Sequence, residues 1–346
     1  MDIPLLAPHT LLAWLDADHL IVEDPAAPQS QVLIGNAKPG ILRWLRSCDG
    51  SRSLEQLLKE APGLTEDSAR ELLDALQASG LLSLHAAEPS LTAQLSSEQR
   101  AVLGQDLDAL ALSGATDGFR RRQEHHIWID GANRVAHALL EVLGAAHVGS
   151  LQVRAQRLSR RALSLRDIGA FGPQLEDVGT APTVAMRRHL QRIRTHGHAE
   201  IRRPLIIACD AQFDPSEEVA YQEAGLPYLR VLTGSRHAVI GPLTLPGHSV
   251  CWSCMELHRS DADPEWPRLL AQFDQSRRSL APVDSQFAMW VASETASQVL
   301  RVIDSDDPTS LVNTTLHMDR REWVIRRRSW QVHPDCPCQW RAAAAA

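Results

Sequence analysis

The sequence predicts an α/β chain in two parts, and three observations carry the prediction. From His125 onward, apolar runs of strand length alternate with amphipathic runs of helix length, the rhythm of a mostly parallel sheet with helices on both faces. Before that, three short apolar runs are followed by three capped helical segments, a smaller α+β module. The composition, 44% hydrophobic and 22% charged over 346 residues, is that of globular domains and sets aside a disordered chain.

In the first part, residues 1–88, the extended runs are Thr10–Leu15, Leu20–Glu23 and Gln31–Ile34, separated by Asp, Pro and Ser turn signals. Pro39 opens a helical pattern with Ile41, Leu42, Trp44 and Leu45 apolar, and Asp49-Gly50 closes it. Ser53 caps a second helix with Gln56 at the capping-box position, and Gly63 breaks it. Thr65 caps a third, through Ala69, Leu72, Leu73 and Leu76, which Gly80 stops before a last extended piece, Leu81–Leu84. Three strands and three helices in this arrangement make a winged-helix pattern. Residues 89–120 read as a linker with one helix near Glu98–Leu112, ending in a solvated basic turn at Arg120-Arg121-Arg122.

In the second part, residues 121–346, strands are expected at Ile127–Ile129, Leu151–Val153, Pro204–Cys209, Tyr228–Leu232 and Ala238–Leu245. Helices are expected at Val135–Leu143, Val184–Ile193 and Pro215–Ala224, then a long one at Ser285–Ile303. Two β-rich runs, Ser310–Met318 and Glu322–Arg326, precede a low-complexity tail, Ala342–Ala346. No apolar run approaches the ~20 residues of a membrane span, and the N-terminus lacks the basic flank of a signal peptide, so a cytoplasmic protein with no membrane partner is expected.

The net charge of −7 sits in the first part, where six basic residues face thirteen acidic ones; the remainder is balanced at 29 of each. A winged helix that binds DNA needs a basic surface, so this balance argues against nucleic acid as a partner. The chain has two lysines, Lys38 and Lys59, which excludes a catalytic lysine in the larger part.

Cys251-Trp-Ser-Cys254 and Cys336-Pro-Cys338 supply four thiolates in two close pairs, the donor set of a tetrahedral structural zinc. Such a site clips a mid-domain loop to the C-terminus and, with four protein ligands, keeps no open position for catalysis. His258 and His333 lie near the pairs as possible substitutes. Cys209 ends an apolar strand and reads as a buried, inert thiol. The six tryptophans after residue 250 read as packing for this lobe.

The stretch Gly241-Pro-Leu-Thr-Leu-Pro-Gly247-His-Ser-Val-Cys251-Trp-Ser-Cys254, followed by Leu257-His-Arg-Ser-Asp-Ala-Asp-Pro-Glu-Trp266-Pro, resembles the ThiF-like proteins of azoline-forming peptide biosynthesis, over nearly the whole chain. The resemblance implies a PqqD-like recognition element at the N-terminus and a Rossmann-like ThiF/MoeB-type domain with zinc cysteines. Active ThiF/MoeB-type enzymes bind ATP-Mg and adenylate a carboxylate, and this chain departs from their parts. The G-x-G-x-x-G loop appears as Gly131-Ala132-Asn133-Arg134-Val135-Ala136, with only the first glycine kept. No acid follows Leu151–Val153, and the lysine of the D-x-G-x-x-K motif is Pro182, after Asp177 and Gly179. Arg160 or Arg161 stands for the phosphate-side arginine, and Asp210 for the Mg-side aspartate.

ATP is therefore not expected as a cofactor. The resemblance then implies a scaffold that binds a precursor's leader peptide and serves a YcaO-type cyclodehydratase, with an adenylating enzyme or a DNA-binding regulator as the rival readings. The leader groove is expected along the strand Val32, Leu33 and Ile34 and the helix bearing Leu72 and Leu76. The acidic face Glu66, Asp67, Glu71 and Asp74 reads either as a site for a basic leader or as a solvated helix face. A homodimer through the sheet domain is expected by analogy alone.

Overall fold

The computed structural model describes residues 2–7, 9–86, 116–154, 162–193, 204–210, 215–275, 282–305 and 311–338. The chain divides into two compact units, residues 1–120 and 121–346. The expected linker helix near Glu98–Leu112 and the C-terminal alanine tail lie outside the described residues.

The N-terminal unit begins with β1 (Asp2–Leu6), β2 (Leu11–Trp14), β3 (Leu20–Asp24) and β4 (Ala27–Ile34). Helices α1 (Ile41–Arg46), α2 (Leu54–Lys59) and α3 (Glu66–Ala78) follow, then β5 (Leu82–Ala86). Strands β2, β3 and β4 form an antiparallel meander, while β1 pairs with β5. The helices start where side chains can satisfy orphan amides. Ser53 and Gln56 form the reciprocal capping box of α2, and the Thr65 hydroxyl accepts from the Ser68 amide to start α3. Leu20 and Val22 of β3 pack with Ile41, Leu45, Leu57, Leu73 and Leu76 as one buried cluster. Trp44 joins α1 to α2 by donating its indole N–H to the Leu57 carbonyl at 2.8 Å.

The larger unit begins within α4 (Thr116–Glu124) and continues with β6 (His126–Asp130), α5 (Arg134–Ala145) and β7 (Ser150–Arg154). Next come α6 (Pro182–Arg192), β8 (Leu205–Asp210), α7 (Pro215–Glu223), β9 (Tyr228–Thr233) and β10 (His237–Thr244). The chain then forms α8 (Trp252–Ala262), α9 (Trp266–Gln275), α10 (Ser285–Ser305), β11 (Thr314–Asp319) and β12 (Val324–Ser329). The seven-stranded sheet has the order β12-β11-β10-β9-β8-β6-β7. Strands β7, β6, β8 and β9 run parallel, and β10, β11 and β12 continue it by antiparallel pairing. The sheet departs from β6 in both directions, to β7 and to β8, so the crevice at its carboxyl edge opens there, where doubly wound sheets take ligands. Helix α10 lies along α5, burying Val291, Ala292, Ala296 and Val299 with Leu139, Leu140 and Leu143.

Two expectations are corrected here. Arg122 is no solvated turn residue: it is buried in α4 and grips the Asp304 carboxylate through Nε at 2.7 Å and Nη2 at 2.6 Å. The expected Ser310–Met318 strand starts only at Thr314, because Leu311–Asn313 forms a turn with Asn313 in the left-handed region.

Candidate functional site

The four paired cysteines converge. Thr244 ends β10, and the following turn is fixed from within: Ser249 Oγ accepts from the Leu245 amide at 2.7 Å, and Thr244 Oγ1 donates to the Val250 carbonyl at 3.1 Å. Asn313 Oδ1 accepts from the Val250 amide at 2.8 Å. This turn places Cys251 at the N-cap of α8, where its sulfur accepts from the Cys254 amide at 3.4 Å. Cys251 Sγ lies 3.6 Å from both Cys254 and Cys336, and Cys254 Sγ lies 3.5 Å from Cys338. Four sulfurs bound at about 2.3 Å around a tetrahedral centre sit about 3.8 Å apart, so the donor set fits a structural zinc in both chemistry and spacing. All four are buried.

The rest of the lobe is packing. Buried Glu256 pairs with Arg259 and accepts from the Trp266 indole. The Arg259 guanidinium lies 5.3 Å from the Trp252 ring, 5.5 Å from Trp266 and 5.9 Å from Trp330. His258 donates to the Gln331 carbonyl at 2.8 Å, and His333 meets Asp261 at 2.9 Å. His258, Arg259 and Asp261 thus hold Trp330, Gln331 and His333 against α8, while Trp266 packs back on Glu256 and Arg259.

The sequence offered no signal for one anchor of this lobe. Buried Glu218 of α7 accepts from Tyr228 Oη at 2.6 Å, the Trp252 amide at 2.6 Å, the Ser253 amide at 3.1 Å and Ser253 Oγ at 2.6 Å. A buried carboxylate with four donors is the condition under which such a charge is tolerated.

At the carboxyl edge of β6 the chain closes on itself. Gly131 has φ 141°, and a Cβ there would stand 2.4 Å from the Cys209 carbonyl oxygen, so only glycine fits between β6 and β8. Asn133 caps α5: its Oδ1 accepts from the Ala136 amide at 2.9 Å while its Nδ2 donates to the Cys209 carbonyl at 2.8 Å. Arg134 is tied to three carbonyls, Val283 at 3.1 Å, Arg166 at 3.0 Å and Ile168 at 2.8 Å. At the N-terminus of α5 the Ala136 amide is thus taken by Asn133, and the Arg134 side chain ties the start of the helix to two neighbouring segments.

Pro182 is the first residue of α6, with no side-chain donor. Asp177 is fully buried, accepting from the Gln174 amide at 2.9 Å and Arg188 at 3.0 Å. Asp130 accepts from Tyr221 Oη at 2.6 Å; burial pushes its carboxyl above the usual range and pushes the Tyr221 phenol up as well. Arg154 lies 4.5 Å over the Trp128 ring. Asp210 closes β8 in register with Leu232; its side chain lies outside the described residues, as do Arg160 and Arg161.

The N-terminal groove residues divide. Leu33 is 59% exposed, Val32 and Leu72 are half-buried against the core, and Ile34 and Leu76 are buried in it. The expectation for Ile34 and Leu76 is thereby corrected: Ile34 shares the inward face of the sheet with Leu20, and Leu76 lies on the inner stripe of α3 with Ala69 and Leu73. Glu66, Asp67, Glu71 and Asp74 are all exposed.

No family model matches the chain, and no curated protein matches it. Among solved structures it is similar to E. coli MccB with AMPCPP and selenomethionine MccA, with TM-score 0.69 and 15% identity, covering 98% of this chain and 99% of that one. The chain has the MccB fold. The microcin C7 biosynthetic enzyme MccB in complex with N-formylated MccA matches with TM-score 0.68 at 14% identity over 98% of this chain and all of that one. PaaA matches with TM-score 0.62 at 14% identity, covering 93% and 98%. Identities this low establish fold, and the chemistry of this chain has to come from its own residues.

Proposed function

We propose that this chain is a peptide-binding, non-adenylating ThiF-like scaffold that presents a ribosomal precursor peptide to a YcaO-type cyclodehydratase. One observation carries the reading: the N-terminus of α5 is capped by Asn133 and fenced by Arg134, in a half of the molecule without lysine. ATP chemistry then falls to the partner, which activates the peptide amide during azoline formation. In this reading the three strands β2–β4 with α1–α3 act as a PqqD-like winged helix, whose β4 edge and α3 receive the leader through Leu33, Val32 and Leu72. Peptide capture is supported by MccB, whose solved complexes include MccA. Zinc on Cys251, Cys254, Cys336 and Cys338 staples the lobe without entering the reaction.

The test is reconstitution. The full chain, a YcaO-type cyclodehydratase and a Cys/Ser/Thr-rich precursor peptide are combined with ATP, and ring formation is followed by mass spectrometry as one water lost per ring. The reading requires that omitting this chain, or replacing Leu33 by Asp, suppress ring formation. Undiminished cyclisation without the chain would overturn it.

A second reading, a divergent adenylating enzyme, is favoured by Asp130 and Asp210 at the crevice and by MccB having been solved with ATP. It requires the Asn133 cap to open.

A further inference from the structure

The N-terminal unit has a second edge, opposite the one assigned to the leader. The three-stranded sheet ends at β4 on one side and at β2 on the other. Edges of sheets invite pairing and are ordinarily defended by charge or proline. Strand β4 carries Pro28, Gln29 and Gln31. Strand β2 carries none of these: residues 11–15 read Leu-Leu-Ala-Trp-Leu, with Leu11 46%, Trp14 41% and Leu15 59% exposed. Among the described residues β2 pairs only with β3, so its outer backbone groups have no strand partner.

At the end of this strand lies a pocket of about 670 Å³, lined by Trp14, Asp16, Pro39, Leu42, Arg43 and Arg46 among others. Its charges are unequal in availability. The Asp16 carboxylate is spent on its own turn, accepting from the Asp18 amide at 2.9 Å and the His19 amide at 2.8 Å and meeting His19 Nδ1 at 2.9 Å. Arg43 and Arg46 stand one helical turn apart on α1, both exposed, and neither has an ion pair or side-chain hydrogen bond among the described residues. Two of the other basic residues of the module, Arg52 and Lys59, are paired with Glu60 and Glu55. A module with thirteen acids and six bases thus holds two guanidinium groups, unpaired among the described residues, on one pocket beside an exposed tryptophan and an undefended edge.

We propose that the β2 edge and this pocket form a second peptide-docking site, for an extended acidic segment with an apolar anchor. Main-chain pairing to β2 supplies affinity, the anchor enters beside Trp14 and Leu42, and flanking carboxylates meet Arg43 and Arg46. The site is independent of the β4–α3 groove, and its ligand has the opposite charge from the one the acidic face of α3 would select.

The experiment uses the full chain and two fluorescein-labelled peptides of alternating charged and leucine residues around a phenylalanine, one with aspartate and one with lysine. Fluorescence anisotropy should show the aspartate peptide binding, weakening with salt, and falling at least about tenfold in affinity in Arg43→Gln/Arg46→Gln. Arg52→Gln, outside the pocket, should leave it unchanged, and so should Leu33→Asp, which strikes the β4 groove. Absence of binding, equal binding of both peptides, or loss with Leu33→Asp but not with the double arginine variant would overturn the site. The last of these outcomes would leave the β4 groove standing. A concentration-dependent dimer in sedimentation that the arginine substitutions dissolve would assign the surface to a second copy of the chain and overturn the peptide assignment.

Discussion

The cysteine lobe and the crevice at the edge of β6 belong to the same unit and have opposite designs. In the lobe, the four cysteines converge on one centre, with neighbouring sulfurs 3.5–3.6 Å apart, and His258 and Asp261 of α8 hold the C-terminal segment beside them. In the crevice, the side chains of Asn133 and Arg134 satisfy the chain's own backbone. Asn133 accepts from the Ala136 amide, and Arg134 donates to three carbonyls. The difference is one of what the side chains serve: in the lobe four sulfurs face one shared centre, while at the crevice the polar side chains bind the chain's own backbone.

The largest effect should come from breaking the complete side. Replacing Cys251 by Ser, or stripping metal with a chelator, is expected to cost several kcal/mol and up to ~10 kcal/mol, the scale of a structural zinc. Thermal melting with metal analysis checks this, and an unshifted melt with no zinc per chain would erase the contrast.

The helix behind the crevice carries the next effect. His137 on α5 and His189 on α6 face each other with Nδ1 atoms 2.8 Å apart, and His189 Nε2 meets Glu141 Oε1 at 2.6 Å. Burial, with His189 beside it, lowers the His137 pKa from 6.5 to about 3. The folded chain therefore keeps His137 neutral where the unfolded chain takes a proton. Its contribution is whole above pH 6.5 and is lost as pH falls toward about 3, on the order of 5 kcal/mol in all. Denaturant titrations at pH 7 and pH 4.5 should show a smaller loss in His137→Gln than in the wild type.

Gly131→Ala should follow, at about 3 kcal/mol, from the positive φ and the clash with the Cys209 carbonyl. If it is tolerated, the close approach of β6 and β8 is not what shapes the crevice. The smallest expected effect is Asn133→Ala, about 1 kcal/mol of helix capping by chemical denaturation, with no gain of ATP binding. A gain would show that the cap alone keeps the site shut.

Local signals were legible and distant ones were not. The Ser53–Gln56 capping box, the Thr65 cap and the helix of Ala69, Leu73 and Leu76 stand where the sequence puts them, since each depends on neighbours a turn away. Strand β1 was not legible, because its partner β5 comes only after three helices. Nor was the Arg122–Asp304 pair, whose partner closes α10 and which reads in sequence as part of a basic run. The cysteine pairs announced themselves by spacing. Glu218 and the His137–His189 pair gave no such sign, because only tertiary contact defines them.

The proposed function requires that the crevice admit no nucleotide, and the most direct test is isothermal titration of ATP-Mg into the full chain purified with zinc. The account predicts no saturable heat up to millimolar ATP. A one-to-one isotherm in the micromolar range would contradict it and return the chain to the adenylating enzymes.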